Sequence, residues 1–85
     1  MRFDCNISEY NAMGLRQKAV ILENDAVFLD HNLSIGIIYT LFYYHSYFIE
    51  VLVEHESNEL IEIVAFNSGE RFDKYIEEIK LENLL

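Results

Sequence analysis

Three histidines and a run of carboxylates are the residues of this chain best suited to chemistry. Asp30-His31, His45 and Glu54-His55-Glu56 supply imidazole and carboxylate donors, the groups a zinc ion takes. In a meander with strands of about ten residues, the turns holding His31 and His55 fall at one end of a sheet and His45 at the other. His31 and His55 are therefore the metal candidates, with a neighbouring carboxylate as third ligand. The chain has no histidines four residues apart and no Cys-x-x-Cys, the spacings that carry specificity for zinc. The spacing favours three turn histidines that face water, and no metal or other cofactor is expected.

Glu50, Glu54 and Glu62 share one strand face. Such carboxylates could do general acid/base work if burial drove their pKa values apart. On the outer face of a sheet they are ordinarily solvated, and so short a chain has no insertions to wall a pocket. Cys5 is the only thiol. It falls in an N-terminal segment expected to be mobile, with no histidine near in sequence to act as its base. Gly14, Gly36 and Gly69 are isolated, whereas a phosphate-cradling loop needs clustered glycines. Gly69 does open a helix, but Glu70 already occupies the positive end of its dipole. No enzymatic activity is expected.

The elements that position these groups follow from periodicity. Asn6 and Glu9 have the spacing of a capping box. From Ser8 to about Leu22, Ala12, Leu15, Ala19 and Leu22 mark one face of a helix, weakened by Gly14 by roughly 1 kcal/mol relative to alanine. Residues 19–22 either end that helix, which is preferred, or form a strand of a hairpin with Ala26 to Leu29. Ala26 to Asp30 is a short strand, and 31–34 a turn. Ile35 to Tyr44, apolar on both faces, is a central strand. His45-Ser46 turns into Tyr47 to Glu54, and 55–58 turns into Glu59 to Phe66.

An even loop in this last hairpin would set Glu54 across from Glu59, a like-charge pair that costs stability. An odd loop instead puts Ile49, Val51 and Val53 with Ile61, Ile63 and Ala65 on one face. Phe48, Glu50, Leu52, Glu54, Leu60, Glu62, Val64 and Phe66 then share the other. Asn67-x-x-Glu70 has capping-box spacing, and Phe72, Tyr75, Ile76 and Ile79 recur at helical steps. Leu81, Leu84 and Leu85 are expected to pack on a neighbour. The expected fold is α+β, a single domain over 1–85: an N-terminal helix, an antiparallel meander of three to four strands, and a C-terminal helix.

The order of elements is similar to that of the double-stranded-RNA-binding domain, in topology alone. That family begins its last helix with lysines, where this chain has Glu70, Arg71, Asp73 and Lys74. Its function is not carried over. Cystatin-like sheets are a second likeness of topology without a matching motif.

Charge sets the classes of partner. Fifteen acids against six bases give −9, and no base lies between Lys18 and Arg71. The whole excess therefore belongs to residues 19–70. Nucleic acid and anionic membrane need clustered Lys/Arg, so neither is an expected partner. Asn32 to Ile49 carries no formal charge, but its four tyrosines and polar residues read as strands rather than a membrane span. With one cysteine, the expected compartment is the cytoplasm.

Tyr39, Phe42, Tyr43, Tyr44, Tyr47 and Phe48 crowd around one turn, and alternation cannot bury them all on one side. Two helices leave part of the sheet bare, so an apolar patch is expected on the surface. The expected function is a non-enzymatic protein-interaction module that self-associates through the face bearing Phe48, Glu50, Leu52, Glu54, Leu60, Glu62, Val64 and Phe66. The alternative is an acidic inhibitor or immunity-type protein that binds a basic site on a toxin or nucleic-acid enzyme. A metal-site protein or enzyme is the third.

Overall fold

Asn6 starts the fold. Its side-chain oxygen accepts from the Glu9 amide at 2.8 Å, while the Glu9 carboxylate accepts from the Asn6 amide at 2.9 Å. This capping box opens α1 (Ile7–Ala12) in a computed structural model that describes residues 5–75. Met13 and Gly14 then take extended backbone, with ψ of 158° and 162°, before α2 (Leu15–Asp25) begins. The one helix expected over 8–22 is therefore two. The break has a packing reason: α1 lies on the fourth strand and α2 on the second, roughly 10 Å apart across the sheet. Gly14, already costly inside a helix, stands where the chain changes direction. Residues 19–22 are helical, which decides that ambiguity.

The sheet is an antiparallel meander in the order β1 (Val27–Ser34), β2 (Ile37–Tyr44), β3 (Tyr47–Glu54), β4 (Leu60–Phe66). The first strand is longer than expected. Residues 31–34 continue β1, and the turn is Ile35-Gly36, with φ of 50° and 75°. Two consecutive positive φ values are what a tight type I′ hairpin requires. The polar trio Asp30-His31-Asn32 has the composition of a turn but is strand, with His31 opposite Thr40.

Away from its loop the last hairpin has the expected odd register: Phe48 faces Phe66, Ile49 faces Ala65, Val51 faces Ile63 and Leu52 faces Glu62. At the loop end a bulge shifts the pairing, so Val53 faces Leu60, and Glu54 and Glu59, expected to be kept apart by an odd loop, meet across the even loop 55–58. That slip moves Leu60 off the expected face and onto the side of α2. The bulge resolves a conflict between the odd register and the hydrogen bond from the Glu54 amide to the Glu59 carbonyl at 2.9 Å.

Both faces are covered in part. On the helix side Tyr10, Ile21, Leu22, Tyr44, Tyr47, Ile49, Ile63 and Ala65 form the main core. On the other side Leu41, Phe48 and Phe66 meet Phe72 and Tyr75 of the short C-terminal helix, described over residues 70–75. Gly69, at φ 92°, accepts the first helical hydrogen bond from the Asp73 amide. It takes the capping position in place of Asn67, since a glycine reaches that φ without a Cβ clash. The expected contributions of Ile76, Ile79, Leu81, Leu84 and Leu85 lie outside the described residues.

Candidate functional site

The face expected to be the interface is occupied by the chain's own last helix. Glu50 is fully buried. Its Oε1 accepts from Arg71, and its Oε2 accepts from the Tyr75 hydroxyl and from Lys74 Nζ at 3.4 Å. Arg71 reaches on to Glu62 at 3.1 Å. Lys74 also lies over the Tyr39 ring, 4.3 Å from its centroid. Phe66 is buried, and Phe48 packs between the rings of Phe66 and Phe72. Leu52, Glu62 and Val64 are half-buried, and of the β3 and β4 residues on this face Glu54 stays exposed, its carboxylate accepting from Ser57 Oγ at 2.5 Å. The expectation of an open stripe of glutamates and apolar residues is corrected here. A base-free interval looks unpaired in sequence, but the helix that follows it folds back and supplies the cations.

His31 and His55 do not converge. His31 sits within β1 with Nδ1 3.2 Å from the Thr40 hydroxyl, whereas His55 is in the turn after β3. Its amide donates to the Gly36 carbonyl at 2.9 Å. Two strands across and four residues along separate them by roughly 15 Å. No group of three possible metal-ligating side chains forms among the described residues.

Cys5 is not in a loose segment. It is buried, its carbonyl accepts from the Tyr47 hydroxyl at 2.9 Å, and its Sγ lies 3.5 Å from that same oxygen. The Tyr10 hydroxyl donates to the Lys18 carbonyl at 3.0 Å. Burial, reinforced by Cys5 and Tyr44, pushes both phenols well above their ordinary range, so each is a hydrogen-bond donor at neutral pH. His45, at φ 55°, packs at a tilt against Tyr44 with centroids 4.3 Å apart. Cys5, His45, Ser46, Tyr47 and Asn67 rim an open hollow of about 580 Å³. A thiol and an imidazole share that rim, but the thiol is engaged within the core.

The surface that stands open is elsewhere. Every residue of β1 is exposed except Asp30, which is half-buried. Val27, Phe28, Leu29 and Leu33 are 44–58% exposed, and Ile35 in the following turn is 98% exposed. On the helix side of the sheet, Ala19 and Leu22 of α2 wall an apolar groove of about 310 Å³ floored by Phe42 of β2, Val51 of β3 and Leu60 and Ile63 of β4.

The two edges of the sheet are treated differently. On β4 the Asn11 side-chain amide donates to the Ala65 carbonyl at 3.0 Å and accepts from the Ala65 amide at 2.8 Å. Lys18 Nζ, itself buried, donates to the Ile63 carbonyl at 2.9 Å. Side chains of α1 and α2 thus occupy the hydrogen-bonding positions a further strand would use. Among the described residues no side chain does this for β1.

The expected strand over Ala26 to Asp30 stops short of the observed β1 because the polar trio Asp30-His31-Asn32 has turn composition. The usable signal was that apolar residues resume at Leu33 and Ile35 before the glycine. No family model, curated protein or solved structure matches this chain. Among the described residues no helix is long and apolar enough to cross a membrane.

Proposed function

We propose that this protein is a non-enzymatic interaction module whose contact surface is β1 with the apolar groove beside α2. The observation that supports this is the exposure of β1 along its length, with four large apolar side chains in the strand and Ile35 in its turn. Monomeric proteins blunt an edge strand with charge, proline or cover. Here the edge carries one bulge and one carboxylate, Asp30. The partner is a protein: nucleic acid and anionic lipid are disfavoured by −9. A cytoplasmic setting accords with a single buried thiol.

Affinity capture from the producing cell, with wild type beside Leu33→Glu, tests the surface. The wild type retains a protein, either another chain or further copies of its own, and the variant loses it. Leu33 is exposed, so the variant keeps its circular dichroism and melting temperature. Undiminished capture by a folded Leu33→Glu chain overturns the assignment.

A further inference from the structure

Resting on that reading, we infer that the partner of β1 is β1 of a second copy, paired antiparallel about a two-fold axis at His31 to make one eight-stranded sheet. Three observations lead there. First, β1 is open along its whole length among the described residues, whereas Asn11 and Lys18 plug β4 at Ala65 and Ile63. A pair formed through β1 therefore leaves two plugged edges, which disfavours growth beyond two copies into a fibre.

Second, the strand is self-complementary. From Leu29 to Leu33 the sequence is L-D-H-N-L. Centred on His31, antiparallel pairing sets Leu29 against Leu33 of the partner subunit; the bulge between Phe28 and Asp30 turns Val27 to the other face and Ile35 lies in the turn, so the paired stretch is Leu29 to Leu33. Asp30 falls against Asn32 of the partner subunit, so no carboxylate meets another directly. Apolar cross-strand pairs stabilise a sheet and like charges oppose it.

Third, charge and area suit a copy of this chain. Between Val27 and Ile38 the only formal charge is Asp30, so two molecules at −9 approach through their least charged edge. The exposed parts of Phe28, Leu29, Leu33 and Ile35 amount to roughly 500 Å² per copy, the size of the largest apolar patch on an ordinary monomer. Two such patches bring about 1,000 Å² together, the lower end of specific interfaces. A basic partner would find one carboxylate on this edge and little to hold it.

The test reads register as well as stoichiometry. Residues on the axis approach to a Cα separation of about 4.5–5.5 Å, within the span of a disulfide. His31→Cys should therefore cross-link to a covalent dimer under mild oxidant. Leu33→Cys should not, because the two copies of that residue stand roughly 13 Å apart. Wild type, whose Cys5 is buried, is the control. Sedimentation equilibrium of the wild type from about 5 to about 500 μM should show monomer and dimer, with Leu33→Glu raising Kd at least tenfold.

A dimer that cross-links through Leu33→Cys and not through His31→Cys overturns the register proposed here. A wild type that remains monomeric throughout overturns the pairing. The module reading fails separately, when capture by the folded protein is indifferent to Leu33→Glu.

Discussion

Glu50 is a sharp test of how the C-terminal helix is held. The carboxylate is fully buried and receives Arg71 at one oxygen and Tyr75 and Lys74 at the other. In Glu50→Gln the shape is kept and the charge is lost. Whichever way the amide lies, its NH2 must face a donor, because both oxygens of the native carboxylate accept. The loss is therefore a charge-assisted hydrogen bond, worth about 1.5–3 kcal/mol, plus a donor left facing a donor, about 1–3 kcal/mol. The sum, centred near 4 kcal/mol, agrees with the roughly 3–5 kcal/mol seen when one partner of a buried pair is removed. A chain of this length has about 4–13 kcal/mol in all, so the variant should melt at least 12 °C lower, taking about 4 °C per kcal/mol as the smaller slope. Urea unfolding followed by circular dichroism measures the change. A double-mutant cycle with Arg71→Met should return a coupling of at least about 1 kcal/mol. Because the acceptor is buried, the coupling should persist in high salt. A Glu50→Gln chain within about 0.5 kcal/mol of wild type would refute the reasoning and place Glu50 among ordinary solvated strand carboxylates.

Ile35 breaks a local rule, a β-branched residue at φ 50° with its side chain 98% exposed. Left-handed backbone costs an L-residue roughly 1–2 kcal/mol, and Asn-Gly is the preferred pair for this turn. Ile35→Asn should therefore stabilise the monomer by about 1 kcal/mol, raising the melting temperature by roughly 4–8 °C at low concentration; a lower melting temperature would contradict the geometry. Alkaline pH gives a second measurement. Tyr10 and Tyr47 have folded-state pKa values raised by burial, so their contribution is complete below the ordinary phenol pKa near 10 and is lost as pH rises toward the folded values. Stability should fall above about pH 10, by up to roughly 1.4 kcal/mol per pH unit for each phenol, and Tyr47→Phe should flatten that slope. An unchanged slope in Tyr47→Phe would show that its hydroxyl ionises as freely as in the unfolded chain.

The fold was legible where a local pattern and its tertiary role coincide. Asn6 and Glu9 form the capping box their spacing suggests, β3 has the bounds of its apolar run, and alternation gives the faces of β3 and β4 away from their loop. What sequence could not show depends on contacts between distant segments. The bulge that carries Leu60 to the other face reflects hydrogen bonding at a loop, and no periodicity records it. The destination of Glu50 depends on Arg71, Lys74 and Tyr75, more than twenty residues away. The second half of β1 escaped for a different reason: residues 31–34 have the composition of a turn, and only the pairing of His31 with Thr40 shows that the strand begun before Asp30 continues. The interface residues inferred from alternation were placed on the correct sheet face, apart from Leu60, but the last helix covers much of that face.

The same helix changes what the charge of −9 means. Arg71 and Lys74 neutralise Glu50 and Glu62, so the carboxylates at the centre of the sheet are satisfied within the chain. The excess is left at the margins: Glu23 and Asp25 at the end of α2, which has no basic residue in its last turn, and Glu54, Glu56 and Glu59 around the β3–β4 loop. A basic protein would be drawn to those ends, whereas β1 offers main-chain groups and apolar side chains. Salt separates the two kinds of association by sign. Two copies at −9 repel at long range, and screening relieves that repulsion, so pairing through β1 strengthens as ionic strength rises. A complex with a basic partner weakens under the same change, because its attraction is what is screened. The asymmetry of the edges, one plugged by Asn11 and Lys18 and one open, is the feature on which the proposed pairing rests.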